Sequence, residues 1–415
     1  MNSSNDSPIG KSRPVGRVLT INGGSSSVKF ALFDPGSPPT RVLGGAVERV
    51  GTGDSVLRAT VPNRPPEHHP LAAADPTQAV EGLLDWLGNG RRLGDIWAVG
   101  HRVVHGGPDR IDPQLVTAEL LGDLERAIPL DPTHLPFEIS LIRALARRLP
   151  GIPQVACFDT AFHRGLPPVA RLLPVPRRYT DAGVRRYGFH GISFAYLLGE
   201  LERRAGVEVS RGRVVLAHLG SGASMAAVRG GRCIDTTMGL TPAGGLVMGT
   251  RTGDIDPGVL VYLARTEGLS ADQLDDLVNR RSGLLGVSES SSDMRDLLAL
   301  QAADPRAAEA VELFCYQTRK WVGALAAVLG GLDTLVFAGG VGENAPEVRA
   351  RVCEHLKFLG ARLDAAANAA DAPVISDGTG SVTVRVIATD EEIMIARMAR
   401  DVVRGLSTDA EGTRA

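Results

Sequence analysis

Arg102 stands inside the apolar run DIWAVGHRVVHGG, residues 95–107, where a guanidinium is out of place. Burying that charge is costly unless a partner neutralises it. The side chain is therefore either half of a structural ion pair or a planar fork for a carboxylate or phosphate. Asp159 and His163, in CFDTAFH, follow directly on an apolar run, and sites in α/β proteins lie just past strand ends. His190 sits between an aromatic residue and a glycine in RRYGFHG, and Arg251, Asp254 and Asp256 crowd into MGTRTGDIDPG. A lone histidine and a charged loop each also have an ordinary structural explanation. Asp390, Glu391 and Glu392 open the last apolar-periodic segment. They serve either as acids complementing a helix dipole or as carboxylates near a divalent cation.

Glycine-rich turns form the second set. NGGSSSVKF (22–30) and HLGSGAS (218–224) each separate two apolar runs, and FAGGVGEN (337–344) ends a third. Clustered backbone N–H groups with hydroxyls make a cradle for phosphate. Neither Gly/Ser turn matches G-x-x-x-x-G-K-[ST], which excludes a P-loop. One such turn is an ordinary hairpin. Two matched ones and a third glycine cluster suit a nucleotide held between two domains.

The elements that must position these residues follow from periodicity. Residues 18–34 read as strand, turn, strand, and RVLGGAVERV and SVLRATVP continue the β pattern. PTQAVEGLLDWLG (76–88) and FEISLIRALARRL (137–149) have helical spacing. The stretch 212–239 repeats the opening one: Gly24-Ser25 overlays Gly220-Ser221, with apolar flanks in register. That is a repeat at domain scale. Later helices are expected at SADQLDDLVNR, RAAEAVELFCYQTRKWVGALAAVLGG and EEIMIARMARDVVRGL. Alternating strands and helices give an α/β class.

The 415 residues exceed one ordinary core and suggest two domains. Expected boundaries are a disordered tail at 1–16, a first domain at 17–163, a second, nucleotide-binding one at 164–392, and a C-terminal helix at 393–415 packing back on the first. A net charge of −2 gives no reason to expect nucleic acid or an anionic membrane as partner. No apolar run is long enough to span a membrane, and the N-terminus lacks a secretory h-region. The four scattered cysteines fit reduced thiols, and a cytoplasmic location is expected.

These stretches, with DTTMGLTP, SGLLGVS and TDEE, occur in the order found in the acetate/propionate kinase family, which the chain resembles from Val18 to Arg400. The resemblance implies two ribonuclease H-like domains of the actin-like ATPase type with a nucleotide cleft between them. It implies transfer of the γ-phosphoryl group of ATP to acetate, giving acetyl phosphate and ADP, with Mg²⁺ or Mn²⁺. Propionate or butyrate is the alternative acceptor, and a non-catalytic actin-like ATPase module is the alternative of another class. By the resemblance, Arg102 and Arg251 contact the acid and the moving phosphoryl group, which His190 also touches. Asn22, Asp159 and Glu391 serve the metal. Asn22, Ser25, Ser27 and Lys29 lie near the phosphates, as do His218, Gly220, Ser221 and Gly222. Gly339, Gly340, Gly342, Glu343 and Asn344 hold the adenosine, flanked by Asp293 and Arg295. Val104, Leu130, Phe189 and Pro242 pack the methyl end of the acid. A homodimer is implied as well.

The residue types agree with such an acceptor. A carboxylic acid has a pKa of roughly 4 to 5 and is already ionised at neutral pH, so no general base is needed. The difficulty is to bring one anion to another, which cationic side chains answer by neutralisation and alignment. Three departures from the family stand out: Gly23, Ser221 in place of asparagine, and PLDPTHLPFE where the family has Pro-Leu-His-Asn-Pro. Aligned from Pro129, the motif puts Asp131 at the histidine and leaves His134 three residues late. Either His134 bends back to substitute, with Asp131 a turn-former whose loss changes little, or His134 is a surface loop residue and the site is altered in rate or substrate.

Overall fold

The computed structural model describes residues 16–24, 27–90 and 95–412. Most of the expected N-terminal tail, Ser25 and the last residues of the final helix lie outside them. Among the described residues, thirteen strands form two sheets. The first contains β1 (Arg17–Gly23), β2 (Ser27–Asp34), β3 (Thr40–Glu48), β4 (Val56–Thr60), β5 (Glu67–Pro70), β6 (Ile96–Val103), β7 (Gln114–Leu115) and β8 (Gln154–Phe158), in the order β5-β4-β3-β2-β1-β6-β8-β7. The second contains β9 (Val214–Leu219), β10 (Ala223–Arg229), β11 (Arg232–Thr236), β12 (Thr334–Ala338) and β13 (Thr383–Val386), in the order β11-β10-β9-β12-β13.

The two sheets share one topology. In each, an antiparallel meander, β1-β2-β3 or β9-β10-β11, is followed by two parallel strands beside its first strand, β6-β8 or β12-β13. The repeated Gly/Ser stretches are the first hairpin turns of each copy.

Near-continuous apolar strands cover both faces of a sheet. In the first, Leu19, Ile21, Phe30 and Leu32 pack with Leu83, Leu87, Leu141 and Leu145 from the helices Pro76–Asn89 and Leu135–Arg148. The alternate residues Val18, Ala31 and Phe33 pack with Ile395, Ala396 and Ala399 of the helix Glu391–Gly412. The last helix thus lies on the first sheet, while its first residues sit at the cleft. Gly100 on β6 permits this: a Cβ there would come within 2.7 Å of Ile395 Cγ2 and 3.0 Å of Ala399 Cβ.

Helix starts carry their expected chemistry. Ser270 and Gln273 form a capping box at Ala271–Arg280, and Asp304 caps the 25-residue helix Pro305–Leu329. The short strands β5, β7 and β13 escaped the sequence reading. β5, Glu-His-His-Pro, is an exposed edge with no apolar alternation, and β7 is two residues long. The glycine-rich end of β12 forms a one-turn helix, Gly339–Asn344, rather than an open turn.

Candidate active site

A cavity of about 590 Å³ opens between the two halves. Asn22, Ser27 and Lys29 reach it from the β1-β2 hairpin; Arg102 and Val104 from the end of β6; Phe189 and His190 from the loop before the helix Gly191–Ala205. His218, Gly220, Ser221 and Gly222 come from the β9-β10 turn, and Gly339, Gly340 and Glu343 from the end of β12. Pro242, Arg251, His134 and Glu391 complete the expected part of the wall. Gly24, from the first Gly/Ser turn, and Glu392, from the acids that open the last helix, also line it, as does Thr389, which was not foreseen.

Arg102 is both an ion-pair partner and a cavity residue. Its Nε and Nη2 donate to Asp159 Oδ2 at 3.0 and 2.6 Å, and its Nη1 donates to Asn22 Oδ1 at 3.3 Å. Asp159 is fully buried behind it rather than on the wall, and its Oδ1 has no partner. Asn22 Nδ2 donates to Glu391 Oε2 at 3.0 Å, so one chain of contacts joins Asp159, Arg102, Asn22 and Glu391. Burial works against the Arg102 charge, yet Asp159 and Glu391 hold the guanidinium more firmly protonated than usual. Burial also opposes the Glu391 charge, but Arg102, His218 and Lys29 keep its carboxyl below its usual value. Beneath Val104, Glu138 accepts from the Val104 N–H at 3.0 Å, and burial pushes its carboxyl up to about 8.

His190 adopts a left-handed backbone, φ 58°, immediately before Gly191. Gly191 must be glycine: a Cβ would lie 2.0 Å from the Asp159 carbonyl oxygen, which accepts the Gly191 N–H. The His190 ring stacks on His218 at 4.4 Å, and its Nδ1 bonds the Ser224 hydroxyl at 2.8 Å. Burial drives the imidazole well below its ordinary pKa, with His218, Arg102 and Arg251 adding repulsion. Each of these causes favours the neutral ring. When the Ser224 hydroxyl donates to Nδ1, the ring proton sits on Nε2, the atom that faces Gly222. A hydroxyl relay, Thr389–Ser193–His218, holds the second ring at 2.7 and 2.8 Å. Ser193 follows the quoted RRYGFHG by two residues, so the signal lay just past the motif.

Arg251 has fewer ties: its Nη1 donates to the Pro242 carbonyl at 3.2 Å. Burial lowers its pKa, Asp131 opposing and Arg102 assisting.

Several expectations change. Leu130 lines a separate, smaller cavity of about 170 Å³, which shares His134, Pro242 and Arg251 with the main one. Asp293 and Arg295 lie outside the wall and pair with each other at 2.5 Å, with the Arg295 side chain 88% exposed. Gly342 is buried, and its carbonyl accepts from the buried Arg349. Asn344 turns back to the Gly340 carbonyl at 2.9 Å. Glu343 accepts the backbone N–H groups of Gly339 at 2.8 Å and Thr389 at 3.0 Å, so it braces the loop. Asp254 and Asp256 likewise serve backbone N–H groups, of Gly245 and Gly258. His163 is buried under the Phe189 carbonyl and lies off the cavity wall.

The alignment at PLDPTHLP is corrected too. His134 lines the main cavity, and Asp131, 3% exposed, lies behind it. Pro132-Thr133-His134-Leu135-Pro136 matches the family's Pro-Leu-His-Asn-Pro at both prolines and the histidine. His134 is therefore in its own place, Asp131 falls outside the motif, and the motif's leucine corresponds to Thr133.

The sequence profile of the Acetokinase family matches residues 17–397. The acetate kinase of Rhodopseudomonas palustris strain CGA009 is 47% identical over 388 residues, which span 92% of this chain and 96% of that protein. The propionate kinase of Citrobacter rodentium is 44% identical over 394 residues, 94% and 96% of the two. The crystal structure of Porphyromonas gingivalis acetate kinase superposes with a TM-score of 0.85 at 39% identity, covering 94% of this chain and all of that one. The repeated sheets are those of an actin-like ATPase fold, and the chain belongs to the acetokinase family.

Proposed function

We propose that this protein transfers the γ-phosphoryl group of ATP directly to a short-chain carboxylate, acetate in preference to propionate. The observation that carries the reading is the convergence of Arg102, Arg251, His134 and His190 on one cavity beside two glycine-rich turns. Two anions must meet there. The guanidiniums neutralise charge as the phosphoryl group passes, and His190 Nε2–H donates to an equatorial oxygen without adding a full charge. The substrate carboxylate attacks already ionised. Val104, Phe189 and Pro242 supply the apolar wall for its alkyl end, and the propionate kinase relative supports the longer acid as second acceptor. The β9-β10 turn and the Gly339–Gly340 backbone face the nucleotide.

Asn22, Asp159 and Glu391 fit a magnesium or manganese ion: two carboxylates and an amide, one carboxylate oxygen being buried without a partner. Such an ion would supply positive charge to offset that of the nucleotide phosphates. Among the described residues no three His, Cys, Asp or Glu side chains group closely enough to hold a metal alone. A site shared with phosphates is consistent with that.

The two halves, 17–163 and 164–392, are read as domains that close on substrates. Pairing of two copies is supported by the helix Pro257–Thr266, none of whose residues is buried; Val259, Val261 and Tyr262 are 43%, 47% and 63% exposed. No helix among the described residues is long and apolar enough to cross a membrane. Four buried free thiols favour a reducing, cytoplasmic setting.

The test is a hydroxamate assay for acyl phosphate with ATP and acetate, propionate or butyrate. A methylene costs about 1–3 kcal/mol in an apolar pocket, so turnover should be graded across the series. Phosphorylation of glycerol or a hexose with no acyl phosphate formed overturns the reading.

A further inference from the structure

Asp131 closes the short turn Ile128–Leu130, its N–H donating to the Ile128 carbonyl at 3.0 Å. Its buried carboxylate accepts two groups of the same residue. The His134 backbone N–H donates to Oδ1 at 3.1 Å, and His134 Nδ1 lies 2.9 Å from Oδ1 and 3.1 Å from Oδ2. A carboxylate only accepts, so Nδ1 carries the proton. The ring is 12% exposed and lines the catalytic cavity, with Nε2 on the edge away from Asp131. Pro136 and the helix Leu135–Arg148 begin at once, so the backbone on that side is fixed. The other charged groups that sense Asp131 are Arg251, His105 and Glu138.

We infer that Asp131 is a positioning residue for phosphoryl transfer: it locks the tautomer and direction of the His134 imidazole and supplies a negative charge among His134 and Arg251. A plain turn-former needs only the backbone bond. The second bond, to the ring, is what aims a side chain at the site. The inference rests on the acyl-kinase reading above. It reverses the expectation that replacing Asp131 changes little.

The test is a kinetic cycle over Asp131→Ala, Asp131→Asn, His134→Ala and the double alanine variant, with thermal melts of each. Asp131→Ala should lower kcat about 10-fold, the scale of one charge-assisted contact, with KM for ATP within about 2-fold. Asp131→Asn, whose amide oxygen still accepts from Nδ1–H, should recover most of the loss. The double variant should be no slower than His134→Ala. Additive losses, or a folded Asp131→Ala with kcat within about 2-fold of the parent, overturn the proposal. If Asp131→Ala does not fold, ¹⁵N spectra of histidine-labelled parent protein decide, assigned by difference from His134→Ala. A protonated Nδ1 is expected, and a bare Nδ1 overturns it. A parent inactive on every carboxylate would sink the acyl-kinase reading and leave the ¹⁵N result standing on its own.

Discussion

Replacing Arg102 by alanine should damage stability and catalysis together, and the two can be separated. The side chain holds Asp159 through two donors, and Asp159 is 0% exposed with its second oxygen already unpartnered. Removing the guanidinium leaves a buried carboxylate with no compensation, a loss of about 3–5 kcal/mol for breaking a buried pair. At roughly 2–4 °C per kcal/mol, the melting temperature should drop by roughly 6–20 °C. The sign with pH follows. Burial already pushes the Asp159 carboxyl up, and Arg102 is the main group opposing it. Without Arg102 the folded-state pKa rises further above the unfolded value. Stability is then retained where Asp159 is protonated and lost as pH rises through the folded pKa, so the deficit should be larger at pH 8 than at pH 5. Arg102→Ala with Asp159→Ala removes both charges and should recover much of the melting temperature at pH 8. Acyl phosphate formation by the double variant, measured below its melting point, should stay depressed by orders of magnitude because the charge facing two anions is gone. A single variant melting within about 2 °C of the parent at pH 8, or a double variant with near-parental turnover, would refute the reasoning.

Arg251 has no buried acid bonded to it, so Arg251→Ala should lose turnover by orders of magnitude while melting within about 3 °C of the parent. Lysine should rescue poorly for lack of the planar fork, and turnover near the parent's would remove Arg251 from the mechanism. Glu138, raised from 4.5 to about 8 by burial, favours folding while protonated. That contribution is present below about pH 4.5 and fades as pH approaches about 8. The fall in melting temperature from pH 5 to pH 8 should be shallower in Glu138→Gln, and equal slopes would show that the carboxyl is ionised throughout. Gly100→Ala forces a methyl into Ile395 and should destabilise by about 1–3 kcal/mol in a denaturant titration; an unchanged midpoint would mean the final helix shifts freely.

The site was legible in the sequence where a motif and a strand end coincide. Asn22, Arg102 and His218 each lie at the end of a recognisable apolar run, His190 and Arg251 sit in quoted loop motifs, and the structure brings all five to one cavity. The duplicated hairpin was legible for the same reason, since period-two apolar flanks survive on either side of a turn. What escaped depends on distance or on loop register. Nothing local says that Arg102 pairs with Asp159, 57 positions on, or that Glu138 caps the Val104 amide. In PLDPTHLP two prolines bracket the histidine and a third precedes Asp131, so the motif fits in two frames three residues apart. The main cavity decides between them, since His134 lines it and Asp131 does not. Asp293 and Arg295 entered only through the family resemblance; two residues' separation at a helix start lets them pair with each other.

The helix Glu391–Gly412 also governs when this protein can fold. It covers one face of a sheet whose first strand begins at Arg17, and its first residue bonds Asn22 across 369 positions. During synthesis the hairpin that starts the chain emerges long before its cover. Val18, Ala31 and Phe33 stay without their final neighbours until the C-terminus leaves the ribosome. Closing so long a loop carries an entropy cost met only by contacts that form at the end. The N-terminal half is thus a nascent-chain intermediate with one apolar sheet face open, the type of surface that chaperones hold and that aggregates when synthesis is truncated. Loss of the stretch 395–403 would expose a folding fault before it exposed a catalytic one.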